Sequence, residues 1–144
     1  MENYQIDQDI NTVCVTATTF PEGVMAAFDK LHSLVPAYAE RRVFGISRPD
    51  RTGTIIYKAA VEDLDATPNN GNTTDYQKLG LEPFLIPKGT YTSIYIANFM
   101  DDVQQVGIAF RQLLGNPAID QNGFCLEMYT GEKDVRCMVR LDVQ

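Results

Sequence analysis

The same order of predicted elements occurs twice in this 144-residue sequence. NTVCVTATTF is rich in β-branched residues and predicts a strand, which is followed by an amphipathic helix over residues 21–35 and two strands in RRVFGIS and TIIYKAAVE. A second series then follows, with strands, helix and two further strands in FLIPKGTYTSIYIANF, DDVQQVGIAFRQLLG, FCLEMYT and DVRCMVRLDV. This repeated strand-helix-strand-strand order restricts the chain to an α+β fold with two similar halves.

A single offset of 82 residues relates the two series. It matches Val24 with Val106, Ala27 with Ala109, Phe28 with Phe110, Leu31 with Leu113, Phe44 with Leu126, and Ile46 with Met128. Any two amphipathic helices would agree in part, but here the register continues through a loop into the next strand. The offset therefore favours an internal duplication.

We predict a single domain over residues 1–144, with repeat 1 at about 10–62 and repeat 2 at about 82–143. The expected architecture is an antiparallel sheet with two main helices on one side, the units being related by a pseudo-two-fold axis with a ligand cleft between them. The connector 63–80 is rich in Asn, Thr, Asp and Gly, which favour turns. It either covers the cleft or extends away from it.

Composition excludes several classes of function. The formal net charge of -7 disfavours a direct nucleic-acid partner, because phosphate binding requires clustered Lys and Arg. Three cysteines without a CxxC motif and one histidine predict neither a disulfide framework nor a metal site. Without a phosphate-binding or dinucleotide glycine motif we expect no cofactor. Without a long apolar run or a signal sequence we expect a cytoplasmic protein with no membrane partner.

One carboxylate stands out, because Glu127 lies in the otherwise apolar strand CLEMYT. Side chains alternate along a strand, so we expect Leu126 and Met128 to face the helices and Glu127 to face the other way with Tyr129. The offset pairs Glu127 with Gly45, whose missing side chain should leave space opposite the acid. The helix-free faces of the two halves would then line a shared cleft. The alternative is a solvated glutamate on an exposed sheet face.

Several motifs resemble the GyrI-like small-molecule-binding domains, which are related to the effector-binding domains of AraC- and MerR-type regulators. The resemblance lies in GVMAAFDKLHSLV, FGISRPD, IPKGTY and CLEMY, the last being similar to the Leu-Glu-x-Tyr strand of the family. It implies tandem strand-helix-strand-strand units with the ligand in the cleft between them. It also implies that Glu127 is the pocket glutamate, which in multidrug-binding members faces cationic, lipophilic ligands.

The candidate ligand-binding residues combine this carboxylate with aromatic rings: Glu127, Tyr129, Tyr95, Tyr91, Tyr57, Phe99 and Gly45. A carboxylate in an apolar cleft is penalised by desolvation, which a bound cation offsets, and aromatic faces attract the same cation. Alternatives stay open for the tyrosines. Tyr129 can serve as a structural hydrogen-bonding residue, and Tyr91 and Tyr95 can serve in sheet packing.

The leading hypothesis is a stand-alone binding protein for a cationic or amphipathic aromatic compound, with a sequestering or regulatory role in transcription or drug response. The residues before NTVCVTATTF are too few for a helix-turn-helix segment, so any transcriptional role would be indirect. One alternative is a hydrolase of small electrophilic compounds using Glu127 with Tyr95 or Tyr129. Another is an inhibitor of a DNA-handling enzyme such as gyrase, which would make a protein the partner.

Overall fold

The computed structural model describes residues 1–64, 76 and 78–142. Two α-helices lie wholly within these ranges, α1 at Val24–Leu34 and α2 at Gln104–Leu114. The strands, in chain order, are β1 Glu2–Ile6, β2 Ile10–Thr16, β3 Val43–Pro49, β4 Ile55–Glu62, β5 Glu82–Ile86, β6 Gly89–Ile96, β7 Cys125–Thr130 and β8 Asp134–Arg140.

The eight strands form one antiparallel sheet that curls into a half-barrel, in the order β1-β6-β8-β7-β3-β4-β2-β5. Helix α1 packs on β2 and β4, whereas α2 packs on β6 and β8. The central pair, β3 and β7, therefore lies between the strands on which the two helices pack. The predicted α+β class and the antiparallel sheet with two helices on one side are confirmed.

Apolar residues are buried on both faces of the sheet. Under α1, Leu31 packs with Ala59 and Val61 of β4, and under α2, Leu113 packs with Val135 of β8. The helix-free face has a separate core, whose largest fully buried members are Tyr91, Phe44, Ile86, Leu126 and Met138. Tyr4, Phe84 and Phe124 pack over this core from its edges. The sheet is thus buried on both sides.

This second core corrects the predicted orientation of β7. Leu126 and Met128 point away from the helices into the helix-free core, together with Phe44 of β3. Glu127 and Tyr129 consequently face the helix side. The prediction was wrong because alternation defines two faces without indicating which one the helices cover, and here both faces are buried.

Smaller differences concern the ends of elements. Helix α1 begins at Val24 rather than at Pro21, because a turn closed by the Gly23 amide and the Thr19 carbonyl comes before it. Strand β1 was not predicted, since its sequence ENYQI is polar and only Ile6 is buried in it. The segment FLIPKGTYTSIYIANF contributes to two strands, β5 and β6, which are connected at residues 87–88.

Most of the predicted connector lies outside the described residues. At its end, Tyr76 and Leu81 are buried in the core under α1. Among the helices of the described ranges, none has the length and apolar character needed to cross a membrane.

Candidate functional site

Glu127 occupies the centre of the sheet, on the face between the two helices. Its register partners are Gly45 on β3 and Cys137 on β8, so both neighbours across the sheet are small. Directly beyond Gly45 lies Ala59 of β4. This row of small residues leaves space beside the Glu127 side chain. The larger side chains of Tyr57 and Tyr129 extend into this space.

Two tyrosine hydroxyls converge on one oxygen of the carboxylate. Tyr57 of β4 donates a hydrogen bond of 2.6 Å to Glu127 Oε1, and Tyr129 of β7 donates one of 2.5 Å to the same atom. The two hydroxyl oxygens are 3.3 Å apart. Among the described residues, Oε2 accepts no hydrogen bond, so both hydrogen bonds of the carboxylate are made by a single oxygen.

Burial controls the ionisation of this cluster. Desolvation raises the pKa of Glu127, although the hydrogen bonds from Tyr129 and Tyr57 act in the opposite direction. Burial and the nearby carboxylate also raise the pKa of Tyr57 and of Tyr129. Both tyrosines therefore remain protonated donors, and Glu127 is the group in the cluster that changes charge most readily.

Aromatic rings enclose the cluster on the helix side. Phe28 of α1 makes edge contacts with Tyr57 and Tyr129, with ring centroids 6.2 and 5.7 Å apart. Phe99, in the short 3-10 helix Phe99–Asp101 before α2, lies 5.6 Å from the Tyr129 ring. Phe20 stacks on Tyr57 at 5.6 Å and is 45% exposed. The two tyrosines that bind the carboxylate are thus packed against phenylalanine rings, one of which is half-exposed.

The structure brings together five of the candidate residues: Glu127, Tyr129, Tyr57, Phe99 and Gly45. The space expected opposite the acid is not empty, because the Tyr57 hydroxyl fills it. Phe20 and Phe28 were missed by the sequence reasoning. Phe28 had been assigned to the helix core, and its match to Phe110 across the repeats gave no sign of a position beside the acid.

The remaining two candidates lie elsewhere. Tyr91 is fully buried in the helix-free core and donates a hydrogen bond of 2.6 Å to the Pro87 carbonyl. Tyr95 is half-exposed and its hydroxyl bonds to Asp134. Its ring also faces the guanidinium of Arg136. The structure therefore does not bring Tyr91 or Tyr95 to Glu127.

Two cavities occur away from this cluster. One, of about 420 Å³, is lined by the β1–β2 connection together with Arg42, Glu62 and Asp63. The other, of about 290 Å³, lies between β6 and α2. Glu127 lines neither. In the larger cavity, Arg42 and Glu62 already form an ion pair of 2.7 Å, whereas the carboxylate of Glu127 combines burial with aromatic surroundings. We therefore take the Glu127 cluster as the candidate site.

The described part of the chain contains neither a cluster of potential metal ligands nor a disulfide. No three His, Cys, Asp or Glu side chains there lie close enough to hold a metal ion. Cys14, Cys125 and Cys137 are free thiols. Burial raises the pKa of Cys137 to about 12, so the thiol opposite Glu127 is neutral and adds no charge to the site.

No protein-family model matches the chain, and no curated protein is significantly similar to it. Solved structures that share its fold include the following three. SAV2435 bound to tetraphenylphosphonium has a TM-score of 0.62 and 12% identity, with 99% of this chain and 93% of that chain covered. A hydrolase from Listeria innocua has a TM-score of 0.57 and 9% identity, with 98% and 90% covered.

The third structure is the integron cassette protein VCH_CASS2 from the mobile metagenome of Vibrio cholerae. It has a TM-score of 0.61 and 13% identity, with 97% of this chain and 94% of that chain covered. Coverage of nearly the full length on both sides means that the entire half-barrel with its two helices is shared. At these identities the likeness concerns the fold alone.

Proposed function

We propose that this protein binds a small cationic or amphipathic aromatic compound at Glu127, between helices α1 and α2. The observation that carries the proposal is a half-buried, desolvated carboxylate that has no cation partner among the described residues, and whose two tyrosine partners pack against phenylalanine rings. Among the described residues, Glu127 forms no ion pair and its hydrogen bonds come from Tyr57 and Tyr129. A ligand cation would supply the missing charge.

The energetics favour such a ligand. Burying an ionised carboxylate is unfavourable unless an opposite charge or hydrogen bonds compensate for lost hydration. A cation beside Oε2 offsets this penalty, and each correctly placed aromatic face adds about 0.5–2 kcal/mol. The rings of Phe28 and Phe99 pack against Tyr129, which holds the acid, and we expect them to provide such faces.

Two further observations support the proposal. A protein with this fold, SAV2435, was solved with tetraphenylphosphonium, a cation that carries four aromatic rings. The motifs of this sequence resemble the GyrI-like domains, for which an internal duplication and a multidrug-type pocket are expected. Membership of that family and the pseudo-two-fold relation are part of the proposal. The register that places Gly45 opposite Glu127 agrees with the offset of 82 residues.

Ligand entry requires a ring to move. Phe20 is the half-exposed ring of the enclosure and stacks on Tyr57. Because it lies in a turn before α1, it can rotate outward without disturbing the sheet. An aromatic group of the ligand would then replace Phe20 on the Tyr57 ring.

A thermal-shift titration tests the proposal. Tetraphenylphosphonium should raise the melting temperature, since a ligand of the native state stabilises it by mass action. Tetraphenylborate, which has the same shape and the opposite charge, should not. Glu127→Gln should remove the effect of the cation, whereas Asp7→Asn at the larger cavity should preserve it. Equal shifts from both ions, or a full shift in Glu127→Gln, would refute a charge-selective site at Glu127.

The same geometry supports hydrolysis of small electrophilic compounds as a second candidate. A carboxylate with a raised pKa can accept a proton from water, and the adjacent Tyr129 hydroxyl can donate one to a leaving group. One structure with this fold is described as a hydrolase. Turnover of an epoxide, abolished by Glu127→Gln in a protein that remains folded, would support this activity. Binding of the epoxide without turnover would contradict it.

A further inference from the structure

Gly45 lies in the middle of strand β3, where its backbone does not require glycine. It is not among the glycines with a positive φ, so any residue could adopt its conformation. A glycine inside a strand lowers stability and commonly marks a close approach by another group. We therefore attribute this glycine to the space that neighbouring side chains need beside its Cα atom.

The Tyr57 hydroxyl and the Glu127 carboxylate occupy that space. A Cβ added at Gly45 would overlap the Tyr57 hydroxyl, and it would lie 2.5 Å from Glu127 Oε1 and 2.7 Å from Tyr57 Cζ. Both side chains would have to shift. Tyr57 is only 2% exposed and its ring is held between Phe20 and Phe28, so it has little freedom to move while keeping its hydrogen bond.

We infer that Gly45 is a specificity-determining residue: its missing side chain lets Tyr57 hold Glu127 as a carboxylate, which makes the site prefer cations over neutral aromatic compounds. The inference rests on the proposed binding function. With Tyr57 and Tyr129 both on Oε1, the charge of Glu127 is stabilised and Oε2 is left for the ligand. Without the Tyr57 bond, the neutral acid is favoured and the preference for cations declines.

The test is a double-mutant cycle with Gly45→Ala, Tyr57→Phe and the combination. Gly107→Ala is the control, because a Cβ at Gly107 on helix α2 meets nothing within 4 Å. Two quantities are measured in each variant. The first is the pH titration of the Glu127 carboxyl carbon by NMR without ligand. The second is the ratio of affinities for tetraphenylphosphonium and for neutral triphenylphosphine oxide at neutral pH.

Gly45→Ala and Tyr57→Phe should each raise the titration midpoint of Glu127 and lower the cation-to-neutral ratio, by at most about tenfold for each pH unit that the midpoint moves. The combination should add little, because both substitutions remove the same contact. Gly107→Ala should change neither quantity. An unchanged midpoint and ratio in Gly45→Ala would overturn the inference.

Two further results remain interpretable. If Gly45→Ala does not fold, Tyr57→Phe decides the matter, because it removes the hydroxyl without adding an atom, and an unchanged ratio there overturns the inference. If the unmodified protein binds neither compound, the proposed function fails. The ligand-free titration still shows whether Gly45 controls the charge of Glu127.

Discussion

The two faces of strand β7 have opposite characters although their residues alternate along six positions. On one face, Leu126 and Met128 fill the helix-free core. On the other, Glu127 and Tyr129 lie between the helices, with Tyr57 from β4. The first face buries apolar surface and stabilises the sheet. The second buries a carboxylate, which opposes folding unless the group is neutral or paired.

This contrast separates stability from function at neighbouring positions of a single strand. The helix-free core packs against the central strands through Phe44, Leu126 and Met128. Under the proposed function, the face between α1 and α2 carries the groups that a ligand requires. Substitutions on the two faces should have different consequences, and these can be measured separately.

The largest effect is expected for Leu126→Ala. Leu126 is fully buried, and such truncations lower the free energy of unfolding by about 2–5 kcal/mol through lost burial and a residual cavity. Urea denaturation measures the loss. Under conditions where the variant is folded, its affinity for tetraphenylphosphonium should be unchanged. A large loss of affinity in the folded variant would show that the two faces are coupled.

A smaller effect is expected in the pH dependence of stability. The pKa of Glu127 is raised in the folded protein above its ordinary value of 4.5, so the folded state holds this proton more tightly than the unfolded state does. Its contribution to stability is full below about pH 4.5 and is lost as the pH rises through the folded-state pKa. Relative to Glu127→Gln, the unmodified protein should thus become less stable with increasing pH.

Urea midpoints of both proteins across this pH range provide the measurement. Glu127→Gln removes the titrating group and retains nearly the same shape, so the difference between the two curves isolates the carboxyl group. A difference that is constant with pH would mean that Glu127 is ordinarily solvated. The cation should reverse the trend, because binding to the ionised carboxylate stabilises the folded protein at higher pH.

Sequence reasoning predicted the elements and the position of the acid better than its surroundings. Hydrophobic periodicity located both helices and the central strands, and the offset of 82 residues equated Gly45 with Glu127, which are register partners. It failed to predict the face that Glu127 occupies. Deciding that requires knowing on which face of the sheet α1 and α2 pack against the flanking strands, which is a property of the assembled sheet.

The same limit applies to the aromatic partners. Tyr57 was a candidate because it is a tyrosine on a neighbouring strand, yet its contact with the acid depends on strand order and on the space at Gly45. Tyr91 and Tyr95 were also predicted from the sequence as candidate ligand-binding residues. Their strand, β6, is separated from β7 by β8, and both rings lie on the other face. Residue type and alternation alone cannot reveal this arrangement.

The smallest effect on stability is expected for Phe20→Ala. The ring is 45% exposed and its described ring contact is with Tyr57, so its removal should lower the free energy of unfolding by about 0.5–1.5 kcal/mol. Its effect on binding should be kinetic. If Phe20 closes the site, tetraphenylphosphonium should associate several-fold faster without it.

Stopped-flow tyrosine fluorescence can follow this step, because the chain has no tryptophan. Met25→Ala is a suitable control, since Met25 is 66% exposed on α1 and should leave the association rate unchanged. An unchanged association rate with faster dissociation in Phe20→Ala would identify Phe20 as a wall of the bound state. A faster association rate would instead show that Phe20 controls access to Glu127. Phe20 is the half-exposed ring of this cluster and stacks on Tyr57.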